Sequence, residues 1–193
     1  MPVTINGSPS HVLIVHVVVV LLPAAVIGSL ILVAVPAARR AFSLLTVVVA
    51  FIACVAIPLA FLSGSKLEAR LPPNPLIRQH VKLAHELLPL AAVFGLALAL
   101  FVAIDLVLRS GSGRLNDLER RFMPSPPSPS ASMANRGLTT ACRLSAAALV
   151  VLAALTGIQV YRVGDAGARA AWSGRVSPTA QAVSSVRAGK STP

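Results

Sequence analysis

Four histidines carry most of the chemistry this sequence offers, and they come in two pairs of equal spacing. His11 and His16 open one apolar run; His80 and His85 open another. On a helix, five residues turn about 140° and rise about 7.5 Å, so the two members of a pair cannot face one neighbour together. His16 and His85 are the deeper members. Meeting across a bundle core from separate helices, their imidazoles suit axial ligation of a b-type haem iron. The shallower His11 and His80, with Arg78 and Lys82, would then meet the haem propionates. A haem held near one surface would exchange electrons with a quinone or a soluble redox protein. Two other readings stay open. The histidines are interfacial polar residues with no cofactor, or the imidazoles hold zinc or copper. Ionisable groups inside membrane spans are candidate functional sites by default.

The remaining polar residues are few. Glu86 adjoins the deep His85, as a proton carrier, a partner to the histidine or a snorkelling side chain. Asp105 and Arg109 stand at the spacing of a helix-end ion pair. Pro23, Pro58 and Pro89 lie inside apolar runs. Proline lacks an N–H, so Pro89 frees the carbonyl of His85 and favours a bend there. Gly28, Gly95 and Gly157 favour close helix contact. Cys54 and Cys142 differ in depth by about 20 Å if both runs span a membrane. A disulfide needs Cα atoms within about 7 Å, so both read as free thiols. The sequence contains no Gly-rich phosphate loop, no H-E-x-x-H and no G-x-S-x-G.

The elements that must position these residues follow from composition. Of 193 residues, 55% are hydrophobic and only 12% charged, with a mean hydropathy of +0.80. Soluble domains carry roughly a quarter charged residues, so a water-soluble globule is excluded. Aromatics make up 4%, too few for base-stacking surfaces, and the net charge of +11 lies between and after apolar runs. That pattern suits anionic headgroups and topology control rather than nucleic acid.

Four runs reach the length of about 20 residues that crosses a bilayer: 11–35, 41–62, 83–108 and 144–163. Backbone polar groups in lipid must be satisfied internally, so each is helical, despite valine runs such as Val17 to Val20. The sequence predicts an all-α integral membrane four-helix bundle, up-down-up-down. Residues 1–10 form a short tail and 11–163 the transmembrane domain. A Pro/Ser-rich stretch, 109–143, reads as a flexible loop, with a short surface helix through Leu115, Leu118 and Phe122 as an alternative. Residues 164–193 read as a largely disordered basic tail. The first run is too long for a signal peptide, and no Lys or Arg precedes it. Arg39 and Arg40 follow it at once, which puts both termini outside and the Arg pair in the cytoplasm. Equal histidine spacing also points to a duplicated helix pair, although the rest of the halves does not align.

Several segments resemble the bacterial domain of unknown function 2231 family. Ser10-His11-Val12-Leu13-Ile14-Val15-His16 is similar to its first-helix signature, H-P-x-x-V-H-F-P. Leu62-Ser63-Gly64 resembles its small-residue exit from helix two, and His85 the histidine that opens helix three. Val160-Tyr161-Arg162-Val163-Gly164 resembles its L-V-Y-x-x-G ending. Val12 and Val17 depart from the signature's proline and aromatic, and Gly157 stands alone where a double glycine is expected. The resemblance covers about residues 10–172 and implies a four-helix protein of the bacterial inner membrane. Some members accompany redox modules, which supports haem; the family carries no established activity. Electron transfer through His16 and His85 is therefore one expectation. A non-catalytic scaffold or partner subunit is a second, and metal-ion binding or transport a third.

Overall fold

The computed structural model of the chain describes residues 4–5, 8–122 and 129–172. Four helices make up nearly all of it: α1 Ser10–Ala34, α2 Pro36–Glu68, α3 Pro75–Phe122 and α4 Pro129–Trp172. A two-residue strand, β1 Thr4–Ile5, pairs antiparallel with β2 Ser8–Pro9 just ahead of α1. All four helices contain a stretch long and apolar enough to cross a membrane.

Every helix but the first outruns its apolar stretch. α2 starts at Pro36 rather than near Ala41, because proline is well suited to the first helical position. α3 starts at Pro75 and runs to Phe122, and α4 runs from Pro129 to Trp172. The stretch expected as a flexible loop is therefore helical over 109–122 and 129–143, and the expected tail is helical over 164–172. Hydropathy marks only the part of a helix that sits in lipid, whereas Ala, Leu and Arg extend it beyond the bilayer. Residues 123–128 and 173–193 lie outside the described residues.

The bundle is a ring in which α1 packs on α2 and α4, and α3 on α4 and α2. The start of α1 touches the end of α2, and the start of α3 the end of α4, so neighbours are antiparallel. The core is closed by Leu22, Leu32, Phe94, Leu98, Phe101 and Leu149, each at most 1% exposed. Large apolar side chains such as Val20, Leu44, Phe51 and Leu96 face outward, where lipid solvates them.

The two hairpins share one buried register. A shift of 69 residues carries His11 onto His80 and His16 onto His85. The same shift carries the buried Val18, Leu22, Ala25, Ser29 and Leu32 of α1 onto Leu87, Ala91, Phe94, Leu98 and Phe101 of α3, all buried. A shift of 103 carries Thr46, Ala50, Ala53, Ala56 and Ser63 of α2 onto Leu149, Ala153, Thr156, Gln159 and Ala166 of α4, again all buried. α1–α2 and α3–α4 are thus two versions of one hairpin. The similarity that histidine spacing suggested between the two helix pairs extends to their buried positions, most of which carry different side chains.

Candidate functional site: the histidine end of the bundle

All four histidines lie at one end, and each places Nδ1 on a backbone carbonyl. His11 Nδ1 lies 3.0 Å from the Ala60 carbonyl of α2, and His80 Nδ1 lies 3.0 Å from the Val163 carbonyl of α4. Those two carbonyls are equivalent under the hairpin repeat. His16 and His85 turn back on their own helices, to the carbonyls of Val12 (2.6 Å) and Val81 (2.9 Å). A carbonyl only accepts, so in each ring Nδ1 donates and the neutral imidazole keeps its lone pair on Nε2.

The inward pair is the opposite of the one expected. His16 and His85 are exposed on the outside of the bundle, whereas His11 and His80 are half-buried between helices. The turn of about 140° between members of a pair decides this: once His11 and His80 face the neighbouring helix, the deeper members face away. His85 sits against Phe61 of α2, with ring centroids 4.3 Å apart and planes at 66°.

His11 and His80 fit where they do because glycine faces them. A Cβ on Gly64 would come within 3.0 Å of the His11 ring, and one on Gly167 within 3.1 Å of the His80 ring. Ser63 Oγ adds a contact to His11 Nδ1 at 3.3 Å. The result is one histidine clasp per hairpin.

A side-chain hydrogen-bond network joins α3 to α4 in the second hairpin. Gln159 is buried and donates from Nε2 to the Leu83 carbonyl (2.9 Å) and to Glu86 Oε2 (3.2 Å). Arg162 donates to Gln159 Oε1 at 3.2 Å. Glu86 is therefore held by α4 rather than by a histidine. One turn deeper, Thr156 Oγ1 is buried with no hydrogen-bond partner. The repeat places Val17, Ala53, Ala56 and Leu59 where Glu86, Thr156, Gln159 and Arg162 stand. Neither Gln159 nor Thr156 was picked out from sequence, since a single amide or hydroxyl in an apolar run has no spacing to betray it.

At the other end, the expected Asp105–Arg109 pair forms, and Arg39 joins it with Nη1 3.5 Å from Asp105 Oδ1. Pro36 has no N–H to give the Leu32 carbonyl. Arg39 Nε fills that vacancy at 2.6 Å, and its Nη2 reaches the Val33 carbonyl at 2.8 Å. Its guanidinium also lies 5.1 Å over the Phe101 ring.

The donor chemistry suits a metal or haem iron, since Nε2 is the free ligating atom on every ring. The placement within one chain does not suit haem. His16 and His85 are both exposed rather than turned into the core, which is filled by packed apolar side chains. Among the described residues, no group of three or more His, Cys, Asp or Glu is placed to hold a metal ion. Cys54 and Cys142 are free thiols. Gly28 meets Thr46 closely enough that a Cβ would lie 2.9 Å from its methyl; Gly157 has only ordinary contact with Val26.

Residues 7–180 match the model of a family described as "Predicted membrane protein (DUF2231)". The chain belongs to that family. With four candidate spans, this DUF2231 member is a multi-pass membrane protein. No curated protein and no solved structure matches it significantly.

Proposed function

We propose that this DUF2231 protein is a non-catalytic subunit of a larger membrane assembly and acts through its outer surface. One observation supports the reading: His16 and His85 are exposed on the outside of helices that span the bilayer, while the interior is filled. Ionisable groups facing lipid are costly, and a partner helix that accepts or donates to them removes that cost. The free Nε2 of His16 and His85 is the atom such a partner would address. The net charge of +11 and the Arg39-Arg40 pair after the first span support the bacterial plasma membrane, with Ser10 and Trp172 on its outer side.

The test is the mass of the complex extracted from native membranes in mild detergent. The native chain should run well above its own 19.9 kDa plus micelle. The pair His16→Phe and His85→Phe should run as the free chain. A native chain that already runs alone would overturn the reading. The haem alternative rests on the free Nε2 atoms and is tested by an oxidised and dithionite-reduced optical spectrum. The subunit reading predicts a featureless visible spectrum after expression with ample haem. A Soret band lost in either histidine variant would replace it with b-type haem electron transfer. Stoichiometric zinc or copper by elemental analysis would replace it with metal binding.

A further inference from the structure

Between α2 and α3, at the histidine end, lies a cavity of about 200 Å³ lined by Glu68, Leu71, Pro72, Pro73, Asn74, Ile77 and Arg78. Its walls are fixed locally. The ring geometry of Pro72 and Pro73 holds the backbone rigid. Asn74 caps α3 by accepting from the Leu76 N–H at 2.9 Å. The positive end of α3 therefore opens onto this space.

Opposite charges face it. Glu68 is the half-buried acid on the α2 side and Arg78 the exposed cation on the α3 side, with Lys82 one turn below. Among the described residues, no ion pair engages Glu68, Arg78 or Lys82. The depth is informative too. Glu68 lies one turn beyond Gly64, which is level with His11 at the start of a span. The cavity is thus about 6 Å outside that level, where phospholipid headgroups lie. It is smaller than the roughly 300 Å³ at which small-molecule pockets begin, so it suits a headgroup rather than a larger metabolite.

We propose that this cavity binds the aminoethyl phosphate headgroup of a phosphatidylethanolamine-type lipid, whose ammonium meets Glu68 and whose phosphate meets Arg78. A headgroup carrying both signs matches a site carrying both. A purely anionic headgroup would face Glu68 with like charge. A trimethylated choline has no N–H to give the carboxylate. The acyl chains then lie along the outer surface of α3 below Lys82. The inference does not depend on the partner-subunit reading, because the cavity lies in the chain's own connection.

The experiment uses the full chain, reconstituted in bilayers with equal amounts of phosphatidylethanolamine, phosphatidylglycerol and phosphatidylcholine. The protein is released for native mass spectrometry and the retained lipids are counted. Phosphatidylethanolamine should be retained about threefold over either competitor, the scale of one exposed ion pair. Glu68→Gln should abolish the preference over phosphatidylcholine while leaving the fold intact. Arg78→Gln should lower retention of all three. Equal retention by the native chain, or a preference that survives Glu68→Gln, would overturn the proposal. Soluble phosphoethanolamine at millimolar concentration should leave the bound lipid in place. Its displacement of the lipid would overturn the membrane source and make the ligand a soluble one.

Discussion

The spacing of His11 with His16, and of His80 with His85, establishes that one member of each pair faces a neighbour and the other faces away. It does not establish which, because depth and direction are separate coordinates on a helix. Glycine supplies the missing information. Gly64 and Gly167 leave room for the shallow rings, so those rings turn inward. The signal was present in the sequence as one glycine in each hairpin, Gly64 and Gly167, whose equivalence is visible only once the hairpins are superposed. Replacing either glycine by alanine puts a Cβ 3.0–3.1 Å from the ring, which must shift by a few tenths of an ångström against its carbonyl. We expect a loss of about 1–3 kcal/mol, the usual cost of overpacking, read from thermal unfolding in detergent. His11→Ala in the Gly64→Ala background should recover part of that loss, since the ring that the new methyl meets is gone. Thr156 presents the opposite case. Its buried hydroxyl lacks a partner, so Thr156→Val should stabilise the protein by about 1 kcal/mol.

At the scale of the element, helix count and type were legible because about 20 apolar residues in succession have one solution in lipid. Helix ends were not. Ser63 to Glu68 and Pro75 to Lys82 are polar enough to resemble loop, yet both are helical. Their backbones are continuous with a stable span, so no new nucleation is required. Asp105 with Arg109 was legible from its spacing; Arg39 was not, because it comes from another helix. Asp105 joins α3 to the α1–α2 turn through Arg39. Asp105→Asn leaves two guanidiniums without their carboxylate and should cost about 1–3 kcal/mol, since both arginines keep some exposure. Arg39→Lys should also destabilise, because an ammonium cannot serve two carbonyls and a carboxylate in Arg39's planar geometry.

At the scale of the whole molecule, the bundle consists of two hairpins built to one plan and then individualised. The first has small apolar residues at Ala53 and Ala56; the second has Thr156, Gln159 and Glu86 at its own seam. Composition and run length showed the bundle but not this division, because the shared property is a buried register rather than residue identity. If the seam rather than the general packing holds α3 to α4, Gln159→Leu should loosen that hairpin alone. Hydrogen exchange would then quicken along α3 and α4 and stay unchanged along α1 and α2. Orientation is tested at this scale as well. Single cysteines at Ser65 and at Arg40, in a background without Cys54 and Cys142, should react from outside and from the cytoplasm respectively with a membrane-impermeant maleimide.

The turn between the first two helices has a consequence for how the chain is made. Only Val35 separates α1 from α2, and Arg39 satisfies the two carbonyls that the break leaves open. The hydrogen bonds from Arg39 to the carbonyls of this corner are contained within residues 32–39, and the clasp at the far end needs only His11, Ala60 and Gly64. A ribosome that has delivered the chain through Glu68 has therefore delivered every contact that closes the first hairpin. That pair of helices can leave the translocon together as a finished unit, and the second hairpin can assemble against a surface already in place.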